Sequence, residues 1–296
     1  MLDKNKIATY IKGCQVDDGG FSHNQKAPAS GLDTYLATAA LRIINATPND
    51  AKAVEKFWAD HDKAGHITDL IGLYLAVSTL RELKLDPSDY KKHHQIALDF
   101  LATGQVKDVS VSNRQLNLTD PAIPTLYLNV VEGEMKYWLY AVSVLHDLAI
   151  EFEARPVIDH ILSLINPEGS FGRQSGWNVA TAYYALKALS LLKYPMADFP
   201  RATLQHIERR QNETNFTDGF HFLEELHWST GSYRLLGLSP DPEKIGTTSG
   251  ASFIERCQRP NGGFAGAIDM TDSSVEFTYY AVTVANFLNS SVPLWA

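Results

Sequence analysis

The sequence predicts an all-α fold, an α/α toroid of about six helical hairpins arranged as an inner and an outer ring. Three observations carry this. A polar glycine turn recurs: Cys14-Gln15-Val16-Asp17-Asp18-Gly19-Gly20-Phe21 aligns without gaps on Cys257-Gln258-Arg259-Pro260-Asn261-Gly262-Gly263-Phe264. Apolar runs follow the turns with helical spacing, without the alternation of strands. Polar-faced amphipathic segments precede several of those runs. Self-similarity of this kind marks a repeat architecture.

Taken in order, the first unit pairs the polar segment Lys4 to Lys12 with an apolar run centred on Ala40-Leu41, the second is centred on Ala76-Val77, and the third joins Tyr90 to Thr103 with Ala141-Val142. The fourth runs from Pro156 to Ile165, through the weaker turn Asn166-Pro167-Glu168-Gly169-Ser170-Phe171, to Ala185-Leu186. The fifth joins Arg201 to Arg210 with a degenerate run at Arg234-Leu235, past a remnant turn at Asp218-Gly219-Phe220. The sixth joins Thr248 to Cys257 with Ala281-Val282. Helices apolar nearly all round belong inside, and amphipathic ones outside. An open solenoid would expose apolar ends, so the near-identical first and last turns favour closure. One domain spanning residues 1–296 is expected, with a loop insertion at 108–129 that contains Pro121 and Pro124 and reads as a cavity lid or a packed loop.

The 296 residues carry 26 Lys+Arg against 34 Asp+Glu, a formal net charge of -8. An acidic chain without a basic run argues against nucleic acid or an anionic membrane as partner. No apolar stretch reaches the ~18 residues of a membrane-spanning helix. Met1 to Lys6 leads into an amphipathic segment and not into a secretion leader. Two cysteines exclude a disulfide framework, and a cytoplasmic setting is expected. Cys14 and Cys257 read as buried thiols, with a disulfide or metal pair the lesser alternative; His93-His94 reads as solvated, and Asp17-Asp18 as turn chemistry.

Superposing the six apolar runs on their mid-helix Ala-aliphatic pair aligns Asp33, Asp69, Glu134, Asn178, His227 and Ser274 seven residues earlier, on the same helix face. Two residues on come Tyr35, Lys136 and Glu276. The expected outcome is one mouth of the ring gathering Asp33, Asp69, Glu134, His227 and Glu276. Asp, Asn and Ser at such positions also cap helices. Below that mouth an aromatic-lined pocket is expected, with Trp138, Trp228 and Phe277 among its walls; ring faces of this kind stabilise cations.

The motif Gln-x3-Gly-Gly-Phe followed by an apolar helix resembles the repeat of protein prenyltransferase β-subunits and of squalene–hopene-type cyclases. The first unit, Gly19-Gly20-Phe21 through Thr34-Tyr35 to Ala40-Leu41, is the best match, and the likeness covers nearly the whole chain. It implies the toroid and an isoprenoid-type substrate. The activity motifs depart from the family pattern. Where zinc-dependent prenyltransferases place Asp-x-Cys, this chain has Ser274-Val275-Glu276, so neither metal nor other cofactor is expected. The diphosphate-holding Gly-Arg pair is Gly266-Ala267 in the last unit and survives as Gly172-Arg173 in the fourth, which makes Arg173 a candidate substrate contact. The proton-donating Asp of the cyclase motif falls at Leu32, leaving Asp33-Thr34.

The resulting expectation is a terpenoid cyclase- or prenyltransferase-like enzyme with an apolar small-molecule substrate. Its catalytic candidates are Asp33, Glu276 and His227, and its substrate-binding candidates are Asp69, Glu134, Tyr35, Trp138, Trp228, Phe277 and Arg173. Acid-initiated chemistry would use Asp33 or Glu276 as proton donor with His227 as relay. Two alternatives stand beside it: a carbohydrate-active α/α barrel with paired carboxylates, and a ligand-binding toroid without catalysis.

Overall fold

The computed structural model describes residues 2–104, 133–172, 179–213, 223–238 and 247–289. The expected insertion at 108–129, and Arg173 and Asn178, lie outside these residues, as does the Glu134 side chain. Among the described residues there are twelve α-helices: α1 (Lys4–Lys12), α2 (Gly31–Ile43), α3 (Ala51–Lys63), α4 (Leu70–Glu82), α5 (Gln95–Thr103), α6 (Gly133–Asp147), α7 (Ala154–Ser163), α8 (Val179–Leu191), α9 (Arg201–Glu213), α10 (Leu223–Leu235), α11 (Thr247–Cys257) and α12 (Val275–Leu288).

Even-numbered helices form the inner ring and odd-numbered ones the outer. α2, α4, α6, α8, α10 and α12 pack in that cyclic order, and α12 returns to α2. Outer α1 packs on both α2 and α12, which decides between a closed ring and an open solenoid. Burial follows the sequence pattern. The run Asp33 to Leu41 of α2 is buried without interruption, whereas outer α3 buries only Val54, Phe57 and Trp58. A helix buried on all sides must be apolar all round, while one stripe suffices for an outer helix. The segment expected as one helix from Tyr90 to Thr103 divides: residues Ser88–His93 form a 3-10 helix before α5. The Tyr90 N–H bonds to the Pro87 carbonyl at 3.0 Å, and that i→i+3 closure sets the tighter winding.

The glycine turns repeat at atomic detail. Gly19, Gly169 and Gly262 have φ of 93°, 91° and 95°, a region that disfavours side chains. A Cβ at Gly19 would overlap the Ala53 carbonyl of α3, at Gly169 that of Ala202 of α9, and at Gly262 that of Lys6 of α1. Each turn thus seats on the outer helix of the next unit, and the sixth seats on the first. After the turn, the Phe21 N–H donates to Thr34 Oγ1 at 2.9 Å, and the Phe264 N–H donates to Thr278 Oγ1 at 3.1 Å. The fold-back leaves a small β element in the first unit, β1 (Phe21–Ser22) antiparallel to β2 (Ala29–Ser30). The ring is also tied across its seam by the Val275 N–H donating to the His23 carbonyl at 2.9 Å.

Five inner helices end alike. Asn45, Lys84, Ala149, Lys193 and Gly237 adopt left-handed φ between 51° and 71°. The next residue bonds back across six positions, for example Ala46 N–H to Leu41 O at 2.8 Å and Ile150 N–H to Leu145 O at 2.9 Å. This Schellman closure ends all five.

Candidate functional site

The inner helices run in parallel, so residues at equal depth meet around the axis. The fifth residue of all six is aromatic; in five of them it lines the axis, as Tyr35, Tyr74, Tyr183, His227 and Tyr279, whereas the fifth residue of α6, Tyr137, does not. Tyr140 of α6 completes the girdle, stacked on Tyr74 with centroids 3.9 Å apart and planes at 14°. Tyr35 lies 5.5 Å from Tyr74 and 6.5 Å from Tyr279; His227 lies 5.4 Å from Tyr279 and 5.2 Å from Tyr183. The Tyr74 hydroxyl donates to that of Tyr35 at 3.2 Å.

This girdle encloses an axial cavity of about 180 Å³. Second-position residues Leu32, Glu224 and Glu276 line one end, where Leu32 is 42% exposed and marks the mouth. Ninth-position Lys187 of α8 lines the other, roughly 10 Å deeper at 1.5 Å per residue. Leu36, Tyr184, Trp228 and Tyr280 fill the wall between, with Lys136 and Leu139.

At the mouth, the Tyr280 hydroxyl donates to Glu276 Oε1 at 3.0 Å and lies 3.5 Å from Glu224 Oε1. Burial and these two carboxylates hold Tyr280 well above the usual phenol range, so it stays a donor. Burial pushes Tyr183 and Tyr279 up to about 12. Deeper, His227 is 3% exposed, and burial together with the Lys187 charge drives its pKa down to about 3, leaving a neutral imidazole. Burial opposes the Lys187 charge too, but Tyr74, Tyr279, Glu82 and Asp147 outweigh it and hold the ammonium above its ordinary value.

Of the residues expected here, Tyr35, His227, Trp228 and Glu276 line the cavity. Four others do not. Asp33 accepts from Ser30 Oγ and faces His23 Nδ1 at 3.3 Å; the contact raises the His23 pKa. Asp69 caps α4, accepting from the Gly72 N–H at 2.7 Å. Trp138 packs between the helix layers, 5.1 Å from Phe100 and 4.4 Å from His160. Phe277 lies over Gly266 and not in the cavity. For Asp33 the physical reason is register. The caps match Ser30 with Ser274, whose hydroxyls accept from the N–H of Asp33 and Phe277, both at 3.0 Å. Superposition on mid-helix alanines matches Asp33 with Ser274 instead, three residues out, and each residue turns a side chain about 100°. Tyr74, Lys187 and Glu224 are cavity residues the alanine register misses; counting five from each helix start recovers Tyr74.

The class this geometry defines is a closed α/α ring with an axial cavity open at the N-terminal end of its inner helices. A family model, the prenyltransferase alpha-alpha toroid domain, matches residues 1–64, 57–221 and 176–294, and the chain belongs to that family. No curated protein matches the chain. Among solved structures it is similar to Candida albicans protein geranylgeranyltransferase-I complexed with GGPP, with a TM-score of 0.66 and 15% identity, over 97% of this chain and 92% of that one. That likeness is one of fold.

The donor set at the start of α12 does not fit the zinc of the family's prenyltransferases. Ser274 is engaged as a cap, Val275 is apolar and buried, and Glu276 holds Tyr280. Cys14 and Cys257 are unpaired thiols beneath glycine turns, with pKa values that burial pushes up to about 11 and about 12. Among the described residues no three His, Cys, Asp or Glu gather as a metal site. No described helix is long and apolar enough to cross a membrane.

Proposed function

We propose that this single toroid domain binds an isoprenoid-type, largely apolar substrate in its axial cavity and that Glu276, coupled to Glu224 through Tyr280, is the acid that starts its chemistry. The observation carrying this is the pair of carboxylates on one phenol at the mouth of an aromatic cavity. Proton transfer to an alkene needs a donor within reach and a group that resupplies it; Tyr280 connects two candidates. The cation so formed would lie against Tyr35, Tyr279 and Trp228, whose ring faces attract positive charge. His227, kept neutral by burial and the Lys187 charge, stands in the same wall. A cavity of about 180 Å³ suits a reacting body near the size of benzene, which an apolar cavity of about 150 Å³ accommodates. Any longer tail would leave through the mouth beside Leu32.

Less favours the carbohydrate reading: the described tryptophans Trp58, Trp138 and Trp228 are all buried, and Trp177 lies outside the described residues. Turnover of prenyl diphosphates and free terpenes, followed by mass spectrometry, tests the proposal. Glu276→Gln is expected to lower turnover at least about 100-fold with the melting temperature unchanged, and Glu224→Gln to do so in part. Full turnover in both variants sinks the acid role. Binding without turnover in the parent protein leaves the toroid as a ligand-binding module.

A further inference from the structure

Two polar groups deep in the cavity have no hydrogen-bond partner among the described residues. The Lys187 ammonium makes no ion pair or hydrogen bond there; its contact is the Tyr183 ring, 5.7 Å from ammonium to centroid. His227 Nδ1 is buried and unbonded. The two groups share a neighbour, since the His227 ring lies 5.2 Å from Tyr183 on its other contact. Buried polar groups in folded proteins are otherwise paired, and leaving one unpaired costs ~1–3 kcal/mol. A cation that lines the cavity without a hydrogen bond, on the helix next to one carrying an unbonded imidazole nitrogen, is an arrangement that a bound group completes.

We propose that Lys187 forms a subsite for one carboxylate at the deep end of an apolar ligand, its oxygens taking the ammonium, with the His227 ring in the adjoining wall. The charge count selects a monoanion. Lys187 contributes one positive charge, Glu82 and Asp147 within its electrostatic reach are paired with Arg42 and Arg81, and His227 stays neutral above pH of about 3, so this floor offers one net positive charge. The carboxylates of Glu224 and Glu276 at the mouth outnumber Lys136, the other cation of the lining, and repel an anion there, which sets the orientation: charged end inward, apolar body along the tyrosine girdle. A diphosphate held at the mouth would instead face both glutamates. The subsite rests on the isoprenoid reading only for the ligand's body, and it relieves a conflict in that reading. A bare Lys187 charge would oppose a cation formed in the same low-dielectric cavity, whereas a ligand carboxylate cancels it.

Titration calorimetry with four probes tests this: geranate, geraniol, geranyl diphosphate and benzoate. Geranate is expected to bind at least about tenfold tighter than geraniol, as a charged hydrogen bond does, and tighter than geranyl diphosphate. Lys187→Met should bring geranate to the level of geraniol and leave geraniol unchanged, with Lys187→Gln as second variant and circular dichroism confirming that both fold. Equal affinity for geranate and geraniol, a preference for the diphosphate, or geranate binding indifferent to both substitutions overturns the subsite. Benzoate separates the two readings. Lys187-dependent binding of benzoate with neither geranyl compound bound keeps the subsite and sinks the isoprenoid body; no Lys187-dependent binding of either carboxylate sinks the subsite itself.

Discussion

Acidification should destabilise this protein through His227. Its imidazole is enclosed by Tyr183, Tyr279 and Tyr280, with ring centroids 4.9 to 5.4 Å away, and its pKa lies at about 3 against an ordinary value of about 6.5. Above pH of about 6.5 the group is neutral in both folded and unfolded chains and contributes no pH dependence. Below it the unfolded chain takes up a proton that the folded chain refuses until pH of about 3, so stability falls as pH falls through that window. The loss is about 1.4 kcal/mol at pH 5.5 and about 2.7 kcal/mol at pH 4.5. His227→Phe keeps an aromatic ring and removes the titration. Urea unfolding of parent and variant at pH 7.5, 5.5 and 4.5 isolates the term, because other groups cancel in the difference. The gap should move in favour of the variant by those amounts. A gap constant to within about 0.3 kcal/mol would refute the reasoning, since it would mean that His227 titrates alike in both states.

Gly262→Ala puts a methyl group onto the Lys6 carbonyl at a φ of 95° and should cost at least ~3 kcal/mol, a fall of at least ~6 °C in Tm by calorimetry. Gly65→Ala is the control: its φ of 73° is equally left-handed but nothing lies within 4 Å, so it should cost only ~1 kcal/mol. Conversely Ala149→Gly, at a left-handed φ of 51° where a side chain is a burden, should stabilise by ~0.5–1 kcal/mol and raise Tm by ~1–3 °C.

The ring was legible because its determinants are local. Gly19 and Gly262 must be glycine to seat on Ala53 and Lys6, so the turns recur as readable strings. Helices such as α2 must be apolar all round to sit inside. The cavity was legible only in part, because facing the axis depends on where each helix starts. The mid-helix alanines recur for close packing between helices and carry no axial register. Ser30, Asp69 and Ser274 do carry it, since each fixes the first turn through a backbone N–H. Asp33 and Glu276 look alike as acids near helix starts, yet they sit at the third and second positions, and that offset sends one to Ser30 and His23 and the other to Tyr280. Lys187 could not be singled out from sequence. What distinguishes it is that no described carboxylate comes within ion-pair distance of its ammonium, Glu82 and Asp147 being paired with Arg42 and Arg81, and that depends on neighbouring helices.

The seating of Gly262 on Lys6 also dictates when the molecule can finish folding. Successive units can pair as they emerge, each turn docking on the helix that follows. The last docking joins residues from opposite ends of the sequence, the slowest kind of contact to form. Until then the outer helix α1 and the flank of α2 wait without α12, their eventual neighbour. Two chains held at that stage can satisfy one another, each α12 packing on the other's α2. Concentrated refolding therefore competes with ring closure, and its by-product is an exchanged dimer whose units are all native.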